Sequence, residues 1–144
     1  MQQSIQIIDQ LRSQINRNDN FYSYYIRCTG LAIAIIRRLG SSSKTRRPCT
    51  DKYLQFVLET LFKFECEIEN KNEEVGFLFK ELNATFGVFS LDSAVANELI
   101  SKGVPLFVIK ISLNYFENAK LIKTSLGFLT NFASARNSFF FEFL

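Results

Sequence analysis

The chain has 144 residues, a formal net charge of +3, 47% apolar content, sixteen Phe and five Tyr but no Trp and no His. One domain of this size buries about 70% of the surface of its unfolded chain without staples, and the absence of His excludes Ser-His-Asp triads and His-based zinc sites. Cys28, Cys49 and Cys66 form no Cys-x-x-Cys pair and are odd in number, which fits reduced thiols better than a zinc site or a disulfide framework.

The opening MQQSIQIIDQLRSQ lacks a basic segment followed by a long apolar core, so it is not a secretory signal. Uncharged runs such as Cys28–Ile36 fall short of the roughly 18–20 residues that span a bilayer. An intracellular, cytoplasmic protein without a membrane span is expected. The basic excess belongs to the first half: residues 1–72 carry eleven Lys and Arg against seven Asp and Glu, and residues 73–144 carry six against seven.

Ser4–Asn16 places Ile8, Leu11 and Ile15 at i, i+3 and i+7, an amphipathic helix. Asp19 or Asn20 then offers an N-cap for a helix Phe21–Leu39, whose helically spaced residues are Phe21, Tyr24, Tyr25, Cys28, Leu31, Ala32, Ile35, Ile36 and Leu39. Gly40 stands where a helix terminator is expected. Residues 40–50, GSSSKTRRPCT, read as a linker, with Thr50 or Asp51 capping the next helix, Lys52–Glu69. Its apolar stripe is Leu54, Val57, Leu58, Leu61, Phe62 and Ile68.

Asn70–Asn72 breaks that helix, and Glu73–Phe89 follows as its antiparallel neighbour, joined by a short turn. Ser90 or Asp92 starts a short helix to Lys102, Gly103 supplies a hinge, and Pro105 opens an apolar helix, Leu106–Phe116, expected to be buried on most sides. Glu117–Ser134 is the last helix, with Ile122, Leu126, Leu129 and Ala133 on one face and Leu121, Phe128 and Phe132 beside them. No segment alternates with period two for long, so seven or eight helices and no sheet are expected.

The order in residues 95–134, a short helix, a Gly hinge, a Pro-started apolar helix and a third helix ending Leu129-Thr130-Asn131-Phe132-Ala133, resembles an armadillo repeat of about forty residues. HEAT-like stacking gives a similar pattern. The resemblance implies an all-α, right-handed α-solenoid of armadillo-like repeats in one domain, residues 1–144. Residues 1–50 then hold the first helices and the basic linker, 51–90 a degenerate repeat and 91–134 the clear one, and 135–144 begin a further repeat or form an interface tail.

In armadillo repeats the Asn of Leu-x-Asn-Leu-Ala lines the concave groove and binds the backbone of an extended peptide, a role that the resemblance carries to Asn131. Importin-α-like repeats place a Trp four residues earlier, where this chain has Gly127, so nuclear-signal recognition is not expected. In the preceding unit Asn83 matches only with a shift of one position. A solenoid needs about three stacked units and polar ends, yet this chain ends NSFFFEFL. Phe139, Phe140, Phe141, Phe143 and Leu144 resemble the first helix of a following repeat and would be covered by a protein partner or by self-association.

Arg37, Arg38, Lys44, Arg46 and Arg47 place five cations within eleven residues, a cluster of the kind that neutralises phosphates in nucleic acids. No aromatic residue is interleaved, which favours a solvated loop beside a helix C-terminus. Glu65, Glu67, Glu69, Glu73 and Glu74 crowd one turn without the spacing of a calcium loop, so a polar turn is expected rather than a metal site. Cys28 lies in an apolar stripe and reads as a core residue, whereas cations beside Cys49 would depress its pKa. Asn83-Ala84-Thr85 satisfies a glycosylation sequon on a helix expected to be buried, where it is incidental. No catalytic set, phosphate loop or cofactor motif is present. The expectation is therefore a non-enzymatic scaffold, without cofactor, that binds protein partners through its groove or its C-terminal end within a larger complex. A nucleic-acid-associated helical subunit using residues 37–47 is the alternative.

Overall fold

The computed structural model describes the backbone of residues 1–14 and 21–143, and the surroundings of the side chains of residues 1–11 and 21–133. Among the described residues it holds seven α-helices and no strand: α1 Gln2–Gln14, α2 Tyr22–Ser41, α3 Ser43–Phe64, α4 Glu73–Phe89, α5 Ser93–Ser101, α6 Val104–Asn114 and α7 Ala119–Phe143, with a single 3-10 turn at Glu65–Glu67.

α4 is the centre of the fold. Val75, Leu78, Phe79, Leu82, Phe86 and Phe89 are all fully buried, and α4 packs most extensively on α2 and α7 rather than on α3, the neighbour in sequence. Small residues make these two interfaces close. A Cβ added to Gly40 on α2 would stand 2.9 Å from the Phe89 ring, and one added to Gly87 on α4 would meet the Phe128 backbone at 3.5 Å. Gly30 lies against Phe77 and Leu78, and Gly40 against Val88 and Phe89, so α2 and α4 run in the same direction. α7 runs the same way, since Asn83 meets Ser125 and Gly87 meets Phe128 and Asn131. Three parallel helices thus form a row, α2–α4–α7, with the intervening helices as crossovers.

The 40–50 segment is not a linker. α2 continues through Gly40 to Ser41, and Ser42 alone, in extended backbone, separates it from α3. The residues that resemble a loop satisfy the carbonyls left open at the end of α2. Arg46 donates from Nε to Gly40 O at 2.9 Å and from its terminal nitrogen to Ser41 O at 3.1 Å, and Thr45 Oγ1 donates to Leu39 O. Gly40 is a buried packing residue rather than a terminator, Pro48 lies inside α3, and Thr50 is buried there instead of capping a helix. Asp19 and Asn20, the expected caps of α2, and Ile15 lie outside the described residues.

Later boundaries follow the sequence signals closely. Asn72 caps α4 by accepting from Val75 N at 2.8 Å, and Asp92 caps α5 by accepting from Ala94 N at 2.9 Å. Gly103 takes φ +74°, the left-handed conformation that lets α5 turn into α6, with Pro105 in the first turn of α6. The burial of α6 differs from expectation: Val104, Pro105, Val108 and Ile111 are buried, but Leu106 and Leu113 are exposed, as is Phe116 just beyond the helix. α7 does not stop at Ser134 but runs on to Phe143, and its buried side is Leu121, Ser125, Phe128 and Phe132.

Candidate interaction surfaces

Polar side chains tie the row together at a recurring sequence distance. Tyr22 OH donates to Glu67 Oε1 at 2.7 Å and Tyr115 OH to Asn70 O at 2.6 Å, both across 45 residues. Arg37 Nε donates to Glu81 Oε2 at 2.9 Å across 44, Asn83 Nδ2 to Ser125 Oγ at 2.8 Å across 42, and Asn131 Nδ2 to Gly87 O at 3.1 Å across 44. Each bond joins residues forty-odd positions apart, and three of them join neighbouring helices of the row, α2 to α4 and α4 to α7.

At the N-terminal end of the row, Glu67 is buried and accepts from both Tyr22 and Asn70. Tyr115 is pushed up to about 12, first by burial and then by the negative charge of Glu67, because both disfavour a phenolate. Asn83, the sequon asparagine, is fully buried in the fold, and its Oδ1 has no partner among the described residues.

Asn131, the residue assigned to a groove by resemblance, is half-buried on α7 and donates to the last turn of α4. The Gly87 carbonyl also accepts from Ser90 Oγ at 2.8 Å. The side chains of Phe139, Phe140, Phe141, Phe143 and Leu144 lie outside the described residues; only the helical backbone through Phe143 is established.

The five cations of the basic segment divide into two groups. Arg37 pairs with Glu81 and Arg46 caps α2, so both are committed within the chain. Arg38, Lys44 and Arg47 are exposed. Arg47 borders a cleft of about 330 Å³ between α3 and α5, together with Asp51, Asp92 and Glu98, and the cleft is thus of mixed charge. Among the described residues no cluster of acidic or sulfur side chains has the arrangement of a metal site, and no helix is long and apolar enough to cross a membrane.

Both cysteine expectations are reversed. Cys49 is buried, its Sγ donates to Ile36 O at 3.4 Å, and burial pushes its thiol up rather than down. Cys28 is exposed, on an outer strip of α2 that also carries Tyr24, Leu31, Ile35 and Leu39. Periodicity shows that these residues share a face but not which side of a twice-apolar helix is covered. Toward the other end of the row, Leu106 and Leu113 on α6, Phe116, and Leu126 on α7 are also exposed. No protein-family model, no curated protein and no solved structure matches the chain.

Proposed function

We infer that the chain is a non-enzymatic, armadillo-like interaction module, a short right-handed stack of helical units that serves as a subunit of a larger complex. The observation that carries this reading is the recurrence of hydrogen bonds at separations of 42 to 44 residues between neighbouring members of three parallel helices, α2 to α4 and α4 to α7. That period is close to the length of an armadillo or HEAT unit. Stacks of this kind present extended surfaces and unfinished ends, and function by holding other chains.

The end formed by α6 and α7 is the surface for a partner or a second copy. Leu106, Leu113, Phe116 and Leu126 leave apolar area in water where a following unit would pack, and α7 continues beyond Leu126 to Phe143. Size-exclusion chromatography with light scattering, and a pull-down with tagged protein, test this. The full chain should self-associate or retain a partner, and deletion of residues 139–144 should abolish that behaviour. A strictly monomeric chain that retains no partner, with or without those residues, would overturn it.

Arg38, Lys44 and Arg47, exposed around the α2–α3 corner, favour a second reading, association with a nucleic acid. Three phosphate contacts predict a shallow salt dependence, with a slope of about −3 in log K against log salt. Absence of binding at low ionic strength would remove this reading.

A further inference from the structure

We propose that the outer strip of α2 docks an amphipathic helix with acidic flanks, supplied by another protein. Tyr24, Cys28, Leu31, Ile35 and Leu39 stand at i, i+4, i+7, i+11 and i+15, and all are exposed, Tyr24 at 65%, Leu31 at 50% and Ile35 at 47%. Fifteen helical steps make a strip about 22 Å long, the length of four turns. Apolar residues scattered singly over a surface need no explanation, but five in line do. The other side of the same helix already buries Tyr25, Ile26, Ala32, Ile33 and Ile36. A helix apolar on two sides is built to be covered on both, and α1, α3 and α4 leave this one open.

Charge selects the occupant. α2 contains no Asp or Glu, and Arg27 and Arg38, eleven residues apart, border the strip on its α4 side. Glu73 and Glu74 share a groove of about 420 Å³ with Arg27, Leu31 and Phe77 at one end of this border, while Glu81 is occupied by Arg37. Neither Arg27 nor Arg38 has an ion pair among the described residues. A second copy of the chain fits poorly. Antiparallel pairing about the strip's centre brings Arg27 of one copy toward Arg38 of its mate, and parallel pairing brings no acid to either. A helix with Leu or Ile on one face and Glu or Asp along one edge covers the strip and meets both cations. This surface is separate from Asn131 and from the C-terminal end, so it goes beyond the function proposed above.

Cys28 reports occupancy directly. In Cys66→Ser it is the one exposed cysteine, since Cys49 is buried. Its reaction with a small thiol reagent is followed in the full chain with two synthetic helices that share a Leu face, one flanked by Glu and one by Lys. At saturation the Glu peptide should slow the reaction at least about tenfold, as a bound fraction above roughly nine-tenths requires, and the Lys peptide should not. Ile35→Asp, with unchanged circular dichroism, should weaken the Glu peptide at least about tenfold. Arg27→Glu with Arg38→Glu should reverse the preference between the peptides. Equal protection by both peptides, no protection by the Glu peptide, or protection that grows with protein concentration alone would each overturn the proposal. Deleting residues 139–144 should leave Cys28 protection unchanged, so a failure here and a failure of the stacked-module reading are separable.

Discussion

α4 and α2 are helices of similar apolar content in opposite situations. α4 has neighbours in the row on both sides, and its apolar residues Val75, Leu78, Phe79, Leu82, Phe86 and Phe89 are fully buried. α2 stands at the edge of the row, buries Ile26, Ile33 and Ile36, and leaves Leu31, Ile35 and Leu39 in water. The difference is one of position rather than composition. A helix in the middle of the row uses its whole circumference for packing, and a helix at the edge leaves part of its apolar surface uncovered within the described residues.

The sharpest way to break this contrast is to truncate a side chain at the centre. Phe86 is fully buried and makes an edge-on contact with Phe128, at 6.2 Å between ring centroids. Phe86→Ala should cost about 3–5 kcal/mol in chemical denaturation, a large part of the stability of a domain this size. A loss below about 1 kcal/mol would mean that α4 is not the core.

A smaller effect is expected where α2 approaches α4. Alanine at Gly40 would drive a methyl to within 2.9 Å of the ring of Phe89, which is fully buried. The gain in helix propensity is roughly 1 kcal/mol, while overpacking costs about 1–3 kcal/mol, so Gly40→Ala should be neutral to destabilising by about 2 kcal/mol. Gly127 on α7 gives the opposite sign. It has nothing within 4 Å of where its Cβ would stand, so Gly127→Ala should stabilise the chain by about 0.5–1 kcal/mol. Thermal melts of the two variants decide between a tight and a loose row.

These pairs also show what the sequence made legible. α4 could be bounded at Glu73 and Phe89 because Asn72 is a capping residue and the break before it is polar. The α2–α3 corner could not, because Thr45 and Arg46 bond backward to α2, and composition alone does not distinguish a loop from a capping set. Resemblance assigns Asn131 to a ligand groove and does not reveal its bond to Gly87 O, which depends on the juxtaposition of two helices. Which stripe of α2, α6 or α7 faces water is likewise set by the row and not by the period of any one helix. Tyr22 and Glu67, and likewise Asn70 and Tyr115, which tie the N-terminal end of the row together, bond across 45 residues and carry no local motif.

Tyr115 makes that tie measurable. Its phenol ionises at about 12 in the folded chain against 10 for an ordinary tyrosine. A raised pKa means that its contribution to stability is complete below pH 10 and is lost as pH rises toward 12, because only the unfolded chain releases the proton in that window. Absorbance titration should show a late-ionising tyrosine that disappears in Tyr115→Phe. Stability of the native chain should fall more steeply between pH 10 and 12 than that of the variant.

The smallest effect expected is the one that most directly separates the edge from the centre. Leu121 and Leu126 lie on the same helix, α7, five residues apart; Leu121 is fully buried and Leu126 is 58% exposed. Leu121→Ala should cost about 2–5 kcal/mol, the range of buried leucines. Leu126→Ala in the isolated chain should stay within about 0.5 kcal/mol of the parent, since the side chain is already solvated in the folded state. If the outer face of α7 is where a following unit or a partner packs, the same substitution should weaken that association at least about fivefold, because apolar area buried only in the complex contributes only there. A Leu126→Ala variant that destabilises the monomer as much as Leu121→Ala would show that this face is already covered within one chain, and the edge of the row would then lie elsewhere.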